Sequence, residues 1–482
     1  MNTDQIVPRC GASHLRSEFR GDGFICFPKV VRLGALLSLI VALLAFAVRV
    51  AEAQTPANEG TPRRLSLGDA ARLAAAQTAG VQTAEFRVQE AQARVGEARS
   101  ALLPQIQAVP NWTDHTINSA SFGFNFPTAP GVPPLLNPNG QIIGPVKQWD
   151  FRGQASQTLF NPAARQQVRA ATANVNAVSA DVATAASQAA TNAANIYVRT
   201  VRADATLSAR IADSTLAADL LTIARQQLTA GVGVALDVTR AQSQLAAARS
   251  QLISARNDRD RARLDLLRAL NLPLDTPLQL TDSLSSLPLA ERVNEDAAVD
   301  TAMRVRPEIH AADLQLAAAQ QQIAAIRAGR LPTVNFFGND GPTGFINHLL
   351  NTYTYGVQVN WPVFEGGRRD AQTQEQEAVA NEIEVRRRDL RQQVQVDVRG
   401  AMLDLASARE AVDAARERQS LAEQEVEQAR ERFRAGVAGN ADVITASMSL
   451  NSARTGLIDA LTAYQTARVS LARAEGTVSQ LR

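Results

Sequence analysis

Ala-Arg-Gln-Gln-Leu-Thr-Ala-Gly-Val, residues 224–232, is answered 205 residues later by Ala-Arg-Glu-Arg-Phe-Arg-Ala-Gly-Val, residues 429–437. The match runs without a gap from 224–274 onto 429–479. Downstream of each stretch lies an apolar stripe. In the first copy it is Ala241, Leu245, Ala248, Leu252, Ala255, Arg259, Ala262, Leu266 and Ala269. In the second it is Ala446, Leu450, Ala453, Leu457, Ala460, Tyr464, Ala467, Leu471 and Ala474. Eight of the nine positions are identical, and the alternating spacing of four and three is the seam of a coiled coil. The chain is therefore an internal duplication, and its repeated part is helical.

Working outward, the correspondence continues with shifted offsets. Phe160 and Arg165 meet Phe364 and Arg369 at 204, and Leu103-Pro104 meets Leu331-Pro332 at 228, so an insertion of 24 residues lies between these landmarks in the first copy. Each copy reads helix, β segment, variable loop, β segment, long helix, turn, long helix. The first repeat is expected over 54–270, with strands about 103–112 and 147–160 and long helices 162–230 and 237–270. The second is expected over 293–482, with strands about 331–338 and 352–364 and long helices 366–435 and 442–475. The Pro- and Leu-rich stretch 271–292 links them. No proline occurs between Pro162 and Pro273 or after Pro362, and these stretches are rich in Ala, Gln, Arg, Leu and Val, which suits uninterrupted helices. One helix over 162–230 reaches roughly 100 Å at about 1.5 Å per residue, too long for a globular core. The alanine-rich seam suits an extended bundle.

The β segments have the opposite character. Tyr353, Tyr355, Val357, Val359, Trp361 and Val363 alternate with Thr352, Thr354, Gly356, Gln358, Asn360 and Pro362, a period-2 strand with an aromatic face and a polar face. Of the 18 aromatics after Gln54, 14 fall within 101–165 and 329–369, leaving Phe86, Tyr197, Phe433 and Tyr464 for the helices. Aromatics gathered on short strands fit the interfacial girdle of a membrane β-barrel; the alternative is a soluble sheet packed on the helices. Four strands per chain cannot close a barrel, since about eight are needed for a narrow one. Open edges are not tolerated in lipid, so an oligomer is expected, and three chains would supply twelve strands.

The N-terminus reads as an export signal over 1–53. Lys29 and Arg32 precede an apolar run from Leu33 to Val48, and Ala51-Glu52-Ala53 before Gln54 has the small-x-small form of a cleavage site. A membrane anchor is the alternative, but the run is shorter than the roughly 20 residues that span a bilayer. Those 53 residues hold six basic and four acidic side chains and both cysteines, Cys10 and Cys26. The remainder is neutral, with 43 of each charge, which argues against nucleic acid as partner, and it lacks any thiol for catalysis or metal binding.

Other motifs fail on inspection. Gly231-Val232-Gly233 lacks the third glycine and preceding strand of a dinucleotide site. His115, His310 and His348 form no ligand-spaced pair and stand in no catalytic constellation with serine or carboxylate. Met303, Met402 and Met448 make no metal ladder. No catalytic residue, metal site or cofactor is expected.

The repeated motifs Ala-Gly-Val-Gly-Val-Ala-Leu-Asp-Val from Ala230 and Ala-Gly-Val-Ala-Gly-Asn-Ala-Asp-Val from Ala435, with the junctions Leu159-Phe160-Asn161-Pro162 and Trp361-Pro362-Val363-Phe364-Glu365-Gly366-Gly367-Arg368, resemble the outer membrane efflux protein family, the TolC-like outer membrane factors. The resemblance covers nearly the whole chain after residue 54. It implies a mostly α channel-tunnel, a homotrimer with a β-barrel in outer membrane lipid and a long α-helical barrel in the periplasm. It implies an outer membrane channel of a tripartite efflux or type I secretion system, coupled through a periplasmic adaptor (membrane fusion protein) to an inner-membrane pump of RND, MFS or ABC type. A non-conducting periplasmic coiled-coil adaptor or scaffold is the alternative function.

By this resemblance Gly231, Val232, Gly436 and Val437 are adaptor-contact tips, and Asp237 and Asp442 form the periplasmic entrance constriction. Phe433 takes the place of a tyrosine that contacts the neighbouring coil through an aspartate, and Thr445 that of a second entrance aspartate. Phenylalanine has no hydroxyl to donate. The residues themselves leave a plainer role open for both aspartates, a carboxylate stabilising a helix N-terminus.

Overall fold

The computed structural model describes residues 62–122, 140–284, 294–437 and 439–481. The expected signal segment 1–53 lies outside the described residues, as does most of the inserted loop in the first repeat.

The elements appear twice with nearly equal lengths. In the first repeat α1 (Leu67–Gln77) and α2 (Ala79–Ser100) have 11 and 22 residues, as do α5 (Glu295–Val305) and α6 (Pro307–Ala328) in the second. The long helices α3 (Pro162–Thr229) and α7 (Arg368–Arg434) have 68 and 67 residues, and their return helices α4 (Ala235–Ala269) and α8 (Asn440–Glu475) have 35 and 36. Asn161 caps α3 by accepting from the Ala164 amide at 2.9 Å, with Pro162 at the first helical position, where its missing N–H costs nothing. The helix expected over 366–435 begins only at Arg368, because Gly366 and Gly367 hold φ of 62° and 79°, outside the helical region.

Each long helix is flanked by short helices in succession. Along one half the packing order is α4, α3, α8, α7; along the other it is α2, α3, α6, α7. The molecule is thus a single layer of helices with α2 and α4 at one edge and α7 at the other. The seam residues Ala241, Leu245, Ala248, Ala446, Leu450 and Ala453 are buried. No helix among the described residues is long and apolar enough to cross a membrane.

The sheet carries two hairpins. In the first, β2 (Gln105–Ala108) and β3 (Asn111–Asn118) pair with β5 (Gly153–Phe160) and β4 (Ile142–Asp150) in one antiparallel register from Gln105 to His115, which shifts by a residue between His115 and Ile117. The second is β7 (Thr333–Phe345) with β8 (His348–Asn360), and β7 also pairs with β4 and β5. The strands expected at 103–112 and 147–160 are each longer and broken. Pro110 has no N–H for the ladder, and across from it, in the break between β4 and β5, the Asp150 side chain accepts from the Arg152 amide at 3.1 Å. The strand expected to stop at 338 runs on to Phe345. Beyond 338 the Pro342 carbonyl accepts from the Phe151 amide at 2.9 Å and keeps the sheet together. The strand expected to reach 364 ends at Asn360, before Pro362. On the second hairpin the aromatic face of Tyr353, Tyr355, Val357 and Val359 is exposed.

The stretch expected only to link the repeats is itself structured. β6 (Leu278–Leu280) pairs in parallel with β1 (Arg63–Leu65), and the pair lies over the middle of α3 with α1 and the C-terminal Val478 and Leu481. Asp282 is the tie: its Oδ2 accepts from the Leu67 amide at 2.8 Å and from the Tyr197 hydroxyl at 3.0 Å. The Leu65 carbonyl lies 2.9 Å from the same hydroxyl, so its single proton is shared between the two acceptors. Burial, followed by the nearby Asp282 charge, pushes the Tyr197 phenol well above its ordinary range, so it serves here as a donor. Asp282→Ala leaves a buried amide without its acceptor, at a cost of about 1–3 kcal/mol. The urea midpoint of helical circular dichroism should fall; an unchanged midpoint would show that the tie carries no stability.

Candidate functional site at the helical turns

Both hairpin tips close the same way. Helix α3 ends at Thr229, and Gly231 adopts φ 76°. The Gly231 amide donates to the Leu228 carbonyl at 3.1 Å and the Val232 amide to the Gln227 carbonyl at 3.0 Å. After α7, Gly436 adopts φ 71°, its amide donates to the Phe433 carbonyl at 3.0 Å, and that of Val437 to the Arg432 carbonyl at 3.0 Å. These are glycine-terminated helix ends in which a left-handed residue lets the last carbonyls find donors. A Cβ on either glycine would meet nothing within 4 Å, so the requirement for glycine is one of backbone angle alone. Gly233 differs: a Cβ there would lie 2.9 Å from the Leu228 amide nitrogen.

The tips are apolar and open. Val232 is 78% and Val437 73% exposed, and Val234 and Leu236 are also exposed. Asp237 and Asp442 each occupy the third residue of the returning helix, in α4 and α8. Neither helix start has a side-chain cap, so both carboxylates stand in the favourable field of a helix N-terminus without closing a capping bond. Their surroundings differ. Asp237 is half-buried with Arg240 at 3.9 Å, whereas Asp442 is exposed and makes no ion pair among the described residues. Thr445, one turn on, is exposed and donates to the Ala441 carbonyl at 3.0 Å.

Two contacts that the sequence reading missed bring the tips together. The Asn440 side-chain amide donates to the Asp237 carbonyl at 2.9 Å, and the Gln227 side-chain amide donates to the Phe433 carbonyl at 2.7 Å. The starts of α4 and α8 are therefore neighbours. Phe433 is 2% exposed, in a cluster with Leu220, Leu221, Ala241, Leu245 and Val443. It joins the two coils of one chain by apolar packing. Farther along, Asp213 accepts from Arg454 at 3.0 Å and pairs with Arg210 at 3.2 Å, tying α3 to α8. Only the asymmetry between the repeats hints at these ties: Asn440 stands where the first copy has Ala235. Among the described residues no three His, Cys, Asp or Glu side chains gather where they could hold a metal ion.

A layer of long hairpins carrying at one end a sheet of six strand segments, which make four long strands when β2/β3 and β4/β5 are each counted as one broken strand, is the protomer of a channel-tunnel. The sequence profile of outer membrane efflux proteins matches residues 70–272 and 298–477, and the chain belongs to that family. Similar solved structures include the outer-membrane channel OprN, at TM-score 0.68 and 18% identity over 85% of this chain and 90% of that one. The CmeC outer membrane channel of Campylobacter jejuni matches at 0.68 and 18%, over 85% of each chain. VceC of Vibrio cholerae matches at 0.66 and 18%, over 85% and 96%. These likenesses concern the fold. Among curated relatives are the solvent efflux pump outer membrane protein SrpC and the toluene efflux pump outer membrane protein TtgI, both from Pseudomonas putida, each 28% identical over 146 residues. That match spans 29% of this chain and 30% of each relative. The family is one of outer membrane channels and not of enzymes, and this chain is an outer membrane protein reaching into the periplasm.

Because only backbone angle demands glycine at the tips, Gly231→Val and Gly436→Val should each strain the turn by about 1–2 kcal/mol. Far-ultraviolet circular dichroism should stay unchanged while efflux in cells falls. Full efflux in the double variant would show that tip geometry is irrelevant to function.

Proposed function

We propose that three copies of this chain form a passive exit duct across the outer membrane, whose helical end meets a periplasmic adaptor and, through it, an inner-membrane pump. The observation that carries this reading is the agreement between the two ends of the molecule. The sheet has free edges at β2/β3 and at β8, and the helical layer has free edges at α2/α4 and at α7. Each end thus lacks a neighbour on the same two sides. A ring of copies supplies both at once, making twelve strands and a tube of long helices. The ring also satisfies edge N–H and C=O groups that lipid cannot.

The exposed Val232, Val234, Leu236 and Val437 favour an apolar docking partner at the tips. A non-conducting scaffold would leave the aromatic outer face of the sheet without a purpose. Selectivity for cargo then resides mainly in pump and adaptor, and the duct contributes a charge filter at its narrow end.

Three-fold repetition would gather Asp442 and Asp237 around that entrance, where a low-dielectric constriction focuses their field. Reconstituted in planar bilayers, the protein should form cation-preferring pores whose preference fades as rising salt shortens the screening length to about 8 Å and below. Asp442→Asn should reduce the preference more than Asp237→Asn, because Arg240 already offsets Asp237. Absence of any conductance would overturn the duct, and equal selectivity in all three proteins would remove the aspartates from the entrance.

A further inference from the structure

The two hairpins of the sheet are related by the same offsets that relate the repeats in sequence. Gln105 lies opposite Ser156 in the first hairpin and Thr333 lies opposite Asn360 in the second. Advancing Gln105 by 228 and Ser156 by 204 gives Thr333 and Asn360 without a residue's error. The duplication therefore preserves strand register as well as fold.

One junction between hairpins is visible within the chain: β4 and β5 of the first pair with β7 of the second, Gln154 opposite Asn339, Gly153 opposite Asp340, Asp150 opposite Thr343 and Trp149 opposite Gly344. The other junction would join β8 to β2/β3 of a second copy. By the same offsets Gln154 becomes Gln358 and Asn339 becomes Asn111. The pair at the internal junction is Gln with Asn, and the pair at the corresponding external junction is again Gln with Asn.

We propose that β8 of one copy and β2/β3 of the next pair antiparallel in a single register, with Gln358 opposite Asn111 of the next copy, Val357 opposite its Trp112, Thr354 opposite its His115 and Tyr353 opposite its Thr116. This rests on the ring assembly proposed above and adds the register of its seam. The faces of the Trp112 and Asn111 pairs agree with it. Directly opposed residues share one side of a sheet, and here Val357 meets Trp112 on the aromatic side while Gln358 meets Asn111 on the polar side. A slip of one residue would turn Trp112 toward the polar face. A slip of two preserves the faces and is excluded by the repeat offsets alone, so it is the alternative to test. The repeated Gln and Asn also give the polar wall a matching amide pair at both junctions.

The test is disulfide trapping in a Cys10→Ser, Cys26→Ser background, which removes every native cysteine. Two double variants place cysteines at opposed positions, Asn111→Cys with Gln358→Cys and His115→Cys with Thr354→Cys. Two more represent slips of two residues, Thr113→Cys with Gln358→Cys and Val109→Cys with Gln358→Cys. A slip of two moves the partner by about 7 Å along the strand, beyond the roughly 4.4–6.8 Å between Cα atoms that a disulfide bridges. After oxidation in intact outer membranes, the opposed pairs should give covalent dimers and trimers as the major species and the slip pairs should give chiefly monomer. Strong linkage in a slip pair with none in the opposed pairs would overturn the register while leaving the ring assembly standing. No linkage in any pair, together with a monomeric mass after detergent extraction, would overturn both. Either opposed pair suffices as support, so failure of one double variant to insert does not decide the matter.

Discussion

The structure depends on one constraint: backbone N–H and C=O groups inside lipid must find partners, and a sheet of four strands with two free edges cannot supply them. The single chain is an open sector. Its free strand edges and its free helix edges lie on corresponding sides, so the remedy at the membrane end and the remedy at the helical end are the same set of neighbours. Duplication suits the proposed ring, in which the junction seen between the repeats of a chain would serve again between chains.

The helical half meets a different difficulty. Helices of 68 and 67 residues have no thick core to bury them, and their stability comes from long, narrow seams of alanine and leucine packed at short range. Such seams hold neighbours together weakly per turn. The fold reinforces them at chosen heights: midway, where Tyr197 and Asp282 tie the β1/β6 pair onto α3, lower down through Arg454 and Asp213, and at the tips through Gln227 and Asn440. Phe433 adds an apolar tie where a hydroxyl would have made a polar one. The last turns are thereby held by few, short-range contacts, which suits the docking role proposed for them.

Much of this was legible in the sequence because it is carried by period and repetition. The alanine seam and the paired glycine turns follow from local chemistry and recur in both copies, and the period-2 alternation over 352–363 marks a strand that the structure ends at Asn360. What escaped is what only one copy has or what depends on distant partners. The three-residue strand Leu278–Leu280 is too short to carry a period, and its partner Arg63–Leu65 lies more than two hundred residues away. The strand expected to end near 338 continues because the Phe151 amide, arriving from the other repeat, bonds the Pro342 carbonyl. At the tips Asp237 and Asp442 were visible as a repeated pair. Their different ionic surroundings were not, because Arg240 has no acidic or basic counterpart at Thr445 in the second copy.

The central claim is that closure of the sheet requires neighbouring copies, and the stoichiometry of the extracted protein tests it most directly. Native mass spectrometry of protein released from outer membranes in mild detergent should give the mass of three chains as the dominant species, persisting on dilution. A dominant single-chain mass from membranes in which the protein is inserted would contradict the account, because it would require the four strands to satisfy their edges alone.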